Sequence, residues 1–238
     1  MTGERTGALV FAWFGALLFI SSLLLLLHAY LVTFGRVPSA GPAAREVLID
    51  VALFSAFALH HSVFARSGAK LWMTRLVSSV LERSVYTWTA SLLLLAVCLL
   101  WRPVPGQLYE VRGLMAGLFI SIQFIGVLLT VRGSSTLGIL DLAGVRQASN
   151  VADSGPAHVP LVTTGLYGFV RHPLYFSWLL VVFATPHMTM TRLTFAIVSS
   201  AYLGMAIPFE ERGLIRVFGE DYRRYQRKVR WRMLPGVY

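Results

Sequence analysis

Residues 8–34 form an apolar run that contains no Asp, Glu, Lys or Arg, and no other feature of the chain narrows its possible folds as much. At 1.5 Å per residue a helix of this length reaches about 40 Å. That exceeds a hydrocarbon thickness of about 30 Å, so the segment crosses a bilayer with tilt or protrudes from it. A cleaved leader would have a shorter apolar region and a small-residue cleavage site, so the run is expected to stay as a span. Further apolar runs at 47–64, 85–101 and 114–131 are each near spanning length and are bracketed by Arg, Pro or Gly. The stretch Trp101-Arg102-Pro103-Val104-Pro105-Gly106 reads as an interfacial tryptophan followed by a helix stop. Gly113 and Gly117 make a GxxxG at the start of the fourth run, a spacing that lets a neighbouring helix approach closely.

Residues 132–171 are polar and rich in Gly, Ser and Pro, and long ordered loops are usually functional. A short apolar run at 174–185, closed by Pro186, then a second at 193–207, read as a helical hairpin. The tail after Phe209 carries eight Lys or Arg with apolar residues at helical spacing, which predicts an amphipathic helix starting at Glu210-Glu211. The expected fold is therefore all-α: a polytopic bundle of five to six membrane helices with a C-terminal hairpin and an amphipathic tail. The chain divides in sequence into four spans over 1–131 and a loop, hairpin and tail over 132–238.

Only 13% of the residues are charged and 56% are hydrophobic, against about 25% charged in a soluble domain. A soluble enzyme and a disordered chain are both excluded. The net charge is +10, but most basic residues flank apolar runs, so nucleic acid is not an expected partner. With six crossings and the N-terminus inside, 16 of the 21 basic residues fall inside and 5 outside. The positive-inside rule thus predicts both termini in the cytoplasm; the bilayer is the expected partner, and the sequence implies no obligatory protein partner. The single cysteine, Cys98, sits inside an apolar run, which leaves no disulfide framework. No Cys/His set has zinc spacing, and no phosphate loop or nucleophile elbow is present. The spans carry almost no charge, which argues against an ion-coupled transporter.

Chemistry concentrates in two places. Pro173 suits the first position of a helix, and it holds Arg171 and His172 beside the free N–H groups of that helix end, a place that binds anions. The pair also reads as an interfacial anchor. Glu210-Glu211 follows the last apolar run, either as a helix cap or as carboxylates facing a cation. His60 and His61 are adjacent and point about 100° apart on a helix, so they do not chelate one metal well. Glu82-Arg83 reads as a charge pair at a helix start.

Taken together, Leu161-Val162-Thr163-Thr164-Gly165-Leu166-Tyr167, Arg171-His172-Pro173-Leu174-Tyr175, Glu210-Glu211 and Phe218-Gly219-Glu220-Asp221-Tyr222-Arg223-Arg224-Tyr225 resemble the membrane methyltransferases. That superfamily includes isoprenylcysteine carboxyl methyltransferases and phospholipid N-methyltransferases. In the N-terminal half, His60-His61-Ser62-Val63-Phe64-Ala65-Arg66, Glu82-Arg83-Ser84-Val85-Tyr86 and Asp141-Leu142-Ala143-Gly144-Val145-Arg146-Gln147 resemble the nurim-like group, whose bacterial members include methanethiol S-methyltransferases.

The resemblance implies an enzyme of the bacterial cytoplasmic membrane that uses S-adenosyl-L-methionine as methyl donor. The hairpin, the loop before it and the tail would form the donor site. Leu161, Val162, Tyr167, His172, Pro173, Leu174 and Tyr175 are implied to bind the cofactor, and Glu210, Glu211 and Arg171 to form the catalytic group. His61 and Glu82 fall on the substrate side, and no metal is implied. The acceptor would be small and lipophilic or volatile, with a thiol favoured. A lipid amine, an isoprenoid group and a non-catalytic nurim-like scaffold are the alternatives. The carboxyl methyltransferases have an Arg shortly before the carboxylate, where this chain has Ala206, Ile207 and Pro208. That departure argues against an isoprenylcysteine carboxylate.

Overall fold

A computed structural model describes residues 2–38, 41, 43–64, 67–137, 144–149 and 161–238. Helix α1 spans Thr2–Leu31 and runs into a 3-10 turn at Thr33–Gly35; α2 spans Ala43–Phe64, α3 Ser67–Met73 and α4 Glu82–Leu100. A strand β1 (Gln107–Glu110) precedes α5 (Gly113–Leu137) and α6 (Val145–Ser149). After a 3-10 turn at Gly165–Gly168 come α7 (Pro173–Phe183), β2 (His187–Thr189), α8 (Met190–Phe218) and α9 (Glu220–Lys228). Five of these helices, α1, α2, α4, α5 and α8, are long and apolar enough to cross a membrane, and α7 is a shorter apolar helix. Large apolar residues such as Leu24, Leu99, Leu114 and Phe124 lie exposed along them, as a helix facing hydrocarbon requires. The expected helical membrane bundle is the fold observed.

By packing, the chain falls into two compact units drawn differently from a division at 131/132. Unit 1 comprises residues 1–105 and 137–157, and unit 2 residues 106–136 and 158–238. In unit 1, Gly15 of α1 leaves room for the Trp88 ring of α4, which stacks on Phe11 and donates its indole N–H to the Phe11 carbonyl at 3.1 Å. Helix α6 adds Val145 and Ala148 to Ala12 and Ala16 in one small apolar cluster. Gly144 has φ of 78°, and a Cβ there would lie 2.9 Å from the Ser84 backbone nitrogen, so only glycine fits. Buried Asp50 of α2 accepts the Arg102 backbone N–H at 2.8 Å, just past the end of α4.

In unit 2, β1 and β2 pair antiparallel, with Gln107 opposite Thr189 and Glu110 opposite His187. The pairing fixes the start of α5, the end of α7 and the start of α8 at one end. Helix α7 returns antiparallel along α5: Gln123 donates to the Val181 carbonyl at 2.7 Å, and nearer the other end Leu174 lies against Gly133. Trp178 ties α7 to α8 through the Ser199 hydroxyl at 3.0 Å.

Three expectations are corrected. The acidic pair does not start a helix: α8 continues through Pro208 and Glu210-Glu211 to Phe218, and the break falls at Gly219, whose φ is 56°. The amphipathic helix is α9, which begins at Glu220 and buries Tyr222 and Tyr225 against Leu214, Ile215 and Phe218. The 132–171 segment is not wholly irregular, because α5 runs on to Leu137 and α6 follows; residues 138–143 and 150–160 lie outside the described residues. The close helix contact is also not at Gly113 and Gly117, where an added Cβ would meet nothing within 4 Å. It is at Gly126 and Gly133, two turns apart on the face of α5 that meets α7.

A Cβ at Gly126 would stand 2.9 Å from both the Ser177 carbonyl and Leu180 Cβ. Gly126→Ala should therefore cost about 1–3 kcal/mol of stability, whereas Gly117→Ala should stay within about 0.5 kcal/mol. Thermal unfolding in detergent compares them, and equal effects would contradict this packing.

Candidate functional site

The candidate site lies wholly in unit 2, at the end of the hairpin away from the β1–β2 ribbon. His172 caps α7 and Pro173 occupies its first turn, so α7 starts without needing a backbone donor there. Two backbone bonds fix this start: Arg171 N donates to the Trp231 carbonyl at 2.9 Å and His172 N to the Arg232 carbonyl at 2.8 Å. The segment after α9 is thereby fastened to residues 171 and 172.

Arg171 and Glu211 are both buried. Arg171 Nε donates to Glu211 Oε1 at 2.6 Å, and its Nη1 donates to the Val229 and Arg230 carbonyls at 2.7 and 2.9 Å. Glu211 Oε2 accepts from Gln226 at 3.1 Å, so both charges have partners in the interior. Glu210, one residue earlier and about 100° around the helix, points elsewhere: its side chain is 44% exposed. Tyr175 donates its hydroxyl to Glu210 Oε1, and the His172 ring stacks on Tyr175 at 5.3 Å between centroids.

His172 lies between the two carboxylates. Its Nδ1 is 3.5 Å from Glu210 Oε2 and its Nε2 is 3.4 Å from Glu211 Oε1. Nε2 is buried and makes no hydrogen bond among the described residues. Burial works against charge on the ring, but the two carboxylates outweigh it and hold the imidazole pKa above its ordinary value.

The remaining expected residues sort by contact. Leu161 and Tyr167 pack on the cluster of Tyr222, Tyr225 and Val229. Tyr225 donates to the Tyr167 carbonyl at 2.7 Å, and burial pushes its phenol up, so it stays a donor. Val162 is half-buried just before the 3-10 turn. Pro173 is buried, and Leu174 faces α5 at Gly133. His61 and Glu82 belong to unit 1. There the Tyr86 hydroxyl and His61 Nδ1 are 2.9 Å apart, His60 stacks on Phe64 and Tyr86, and Glu82 is buried at the start of α4. Among the described residues no group of His, Cys, Asp or Glu is placed to hold a metal ion. Gln226, Arg232 and Tyr238 were not singled out by the sequence, because a basic tail reads as a solvated face.

The site thus offers a half-exposed carboxylate steadied by a phenol, suited to a cationic group, and a buried imidazole nitrogen with an unused hydrogen-bonding position. Residues 144–216 match the isoprenylcysteine carboxyl methyltransferase family. A methanethiol S-methyltransferase of Bradyrhizobium diazoefficiens is 38% identical over 187 residues, which cover 78% of this chain and 72% of that one. The chain belongs to this family of membrane methyltransferases. A methanethiol S-methyltransferase of Crocosphaera subtropica is likewise 38% identical, over 77% of this chain and 72% of its own length. A protein-S-isoprenylcysteine O-methyltransferase of Dictyostelium discoideum is 30% identical over 50% of this chain and 51% of its own. No solved structure matches the chain significantly. It is an integral-membrane methyltransferase, and its chemistry requires a methyl donor.

The sign of the His172 shift sets a pH dependence. A group whose native pKa is raised contributes stability fully below its unfolded value, about 6.5 for imidazole, and loses it as pH rises through the native value. The stability gap between the methyltransferase and its His172→Gln variant should be largest near pH 6 and shrink toward pH 9. Thermal unfolding across that range measures it, and a gap that grows with pH would contradict the charged imidazole.

Proposed function

We propose that this methyltransferase takes its methyl group from S-adenosyl-L-methionine and transfers it to a small thiol, of which methanethiol is the simplest. The observation that carries the reading is the divergence of the two adjacent carboxylates. Glu211 is locked in a buried ion pair, whereas Glu210 is half-exposed and steadied by Tyr175. When bound, S-adenosyl-L-methionine supplies a methyl already activated on a sulfonium centre, so the protein mainly has to position, desolvate and manage one proton.

The residues present fit such a donor. Glu210 suits a neighbouring positive charge, the buried His172 Nε2 suits a polar group, and Leu161, Val162, Tyr167 and Tyr175 supply apolar and aromatic surface. Thiolate, not thiol, is the nucleophile. Glu210 Oε2 would take the thiol proton, and the thiolate so formed is the nucleophile for the donor's methyl group, whose carbon–sulfur electron pair would stay with the donor. Tyr175, bonded to Oε1, keeps the carboxylate oriented, and Arg171 with Glu211 positions His172 rather than touching the reacting atoms.

Identity to methanethiol S-methyltransferases over more than three-quarters of the chain supports the thiol. In α8, just before Glu210, the chain presents Ala206, Ile207 and Pro208, with no cation for an acceptor carboxylate. With α7 counted as a sixth crossing beside the five long helices, the distribution of basic residues supports a site open to the cytoplasm with both termini on that side. On the same side of unit 2, Arg212, Arg216, Arg223, Arg224, Arg227, Lys228 and Arg230 are exposed.

Glu210→Gln keeps size and hydrogen bonding but loses basicity. It should lower kcat and kcat/KM together by about 10²–10⁴-fold, far more than it weakens donor binding. Initial rates with S-adenosyl-L-methionine and methanethiol, alongside donor binding, test it. Near-normal turnover across pH would remove Glu210 from proton transfer.

A further inference from the structure

Pro208 lies inside α8 and has no N–H to offer the carbonyl of Gly204, four residues earlier. The Tyr238 hydroxyl donates to that freed oxygen at 3.5 Å. At that length the contact is weak, but it places the Tyr238 ring against α8. Its backbone oxygen accepts from the N–H groups of Arg232, Met233 and Leu234 at 3.0, 2.9 and 2.9 Å. Its ring carries the Arg232 guanidinium, with Cζ 4.9 Å from the centroid, a cation–π distance. Arg232 is thus fixed by a ring and by its own backbone, whose carbonyl holds His172 N at 2.8 Å.

What Arg232 is fixed for is less obvious than how. Its Nε stands 3.5 Å from Glu211 Oε2, longer than a good hydrogen bond. Glu211 is already served by Arg171 at 2.6 Å and Gln226 at 3.1 Å. The Arg232 side chain is 36% exposed, and its terminal nitrogens make no hydrogen bond among the described residues. A guanidinium held in place with its fork unspent matches a carboxylate ligand, which it grips through two parallel bonds. Glu210, His172, Glu211 and Arg232 follow one another in contact, so the site carries a half-exposed negative charge at one end and a partly exposed positive charge at the other.

We propose that Arg232 binds the carboxylate of the donor's amino-acid portion, and that Tyr238 is the positioning residue that aims it. The proposal rests on S-adenosyl-L-methionine as donor. Calorimetric binding of S-adenosyl-L-methionine and of its decarboxylated analogue to the full detergent-purified protein tests both. The intact protein should prefer the carboxylate-bearing donor by about 10- to 100-fold, the worth of a charge-assisted pair. Arg232→Gln should abolish that preference by weakening only S-adenosyl-L-methionine. Tyr238→Leu should reduce it, and Tyr238→Phe, which keeps the ring, should retain most of it. The preference is a ratio of two affinities, so a partly folded variant still reports it, and Arg232→Lys serves as a milder second variant. Equal weakening of both ligands, or an undiminished preference in Arg232→Gln, overturns the proposal. An intact protein that binds neither ligand overturns the donor reading, and this proposal with it.

Discussion

Two opposite charges buried against each other hold the candidate site together. The Arg171 and Glu211 side chains are only 7% and 5% exposed and meet at 2.6 Å. Neither charge is tolerable there alone, since removing one partner of a buried pair typically costs about 3–5 kcal/mol. The pair therefore depends on the completeness of its surroundings. Gln226 of α9 and the carbonyls of Val229 and Arg230 meet the remaining donors and acceptors. In doing so they bind the start of α7, the middle of α8, α9 and the segment beyond it into one body. A buried ion pair contributes less to net stability than to specifying a single arrangement, and here the arrangement it specifies is the setting of His172.

Function follows from a helical repeat. Adjacent residues on a helix point about 100° apart, so a Glu-Glu pair cannot place both carboxylates in one environment. Glu211 turns inward to the ion pair, and Glu210 turns outward to Tyr175 and to water. One carboxylate is built into the ion pair, and the other stays half-exposed beside Tyr175. The same side of α8 carries Pro208, whose missing donor frees the Gly204 carbonyl for the Tyr238 hydroxyl. A residue that would ordinarily weaken a spanning helix thus leaves a carbonyl within reach of the C-terminal tyrosine.

The helices were legible because apolar runs bounded by Pro, Gly and Arg have few other readings, and Arg171, His172 and Glu210 because their residue types and spacing match a family. Other features lacked a local signal. Pro208, two residues before an acidic pair, looks like a helix boundary, yet α8 passes through it because packing on α7 outweighs local propensity. Gly126 sits inside an apolar run and Gly133 in the Arg132-Gly133-Ser134 stretch just past it, so no single pattern marks the face they share. The pairing of 107–110 with 187–189 joins strands of four and three residues across a long stretch of chain, too short to announce themselves. Gln226, Arg232 and Tyr238 are ordinary members of a basic tail until the fold brings them to Glu211 and Gly204.

The central claim is methyl transfer to a thiol, and isotope transfer tests it most directly. The purified protein in nanodiscs is supplied with S-adenosyl-L-methionine carrying a deuterated methyl group, together with methanethiol, and the headspace is read by mass spectrometry. The account predicts dimethyl sulfide bearing one deuterated methyl, formed only with protein and donor both present. Label that appears in bilayer lipids or an added amine while the thiol stays unlabelled would contradict it.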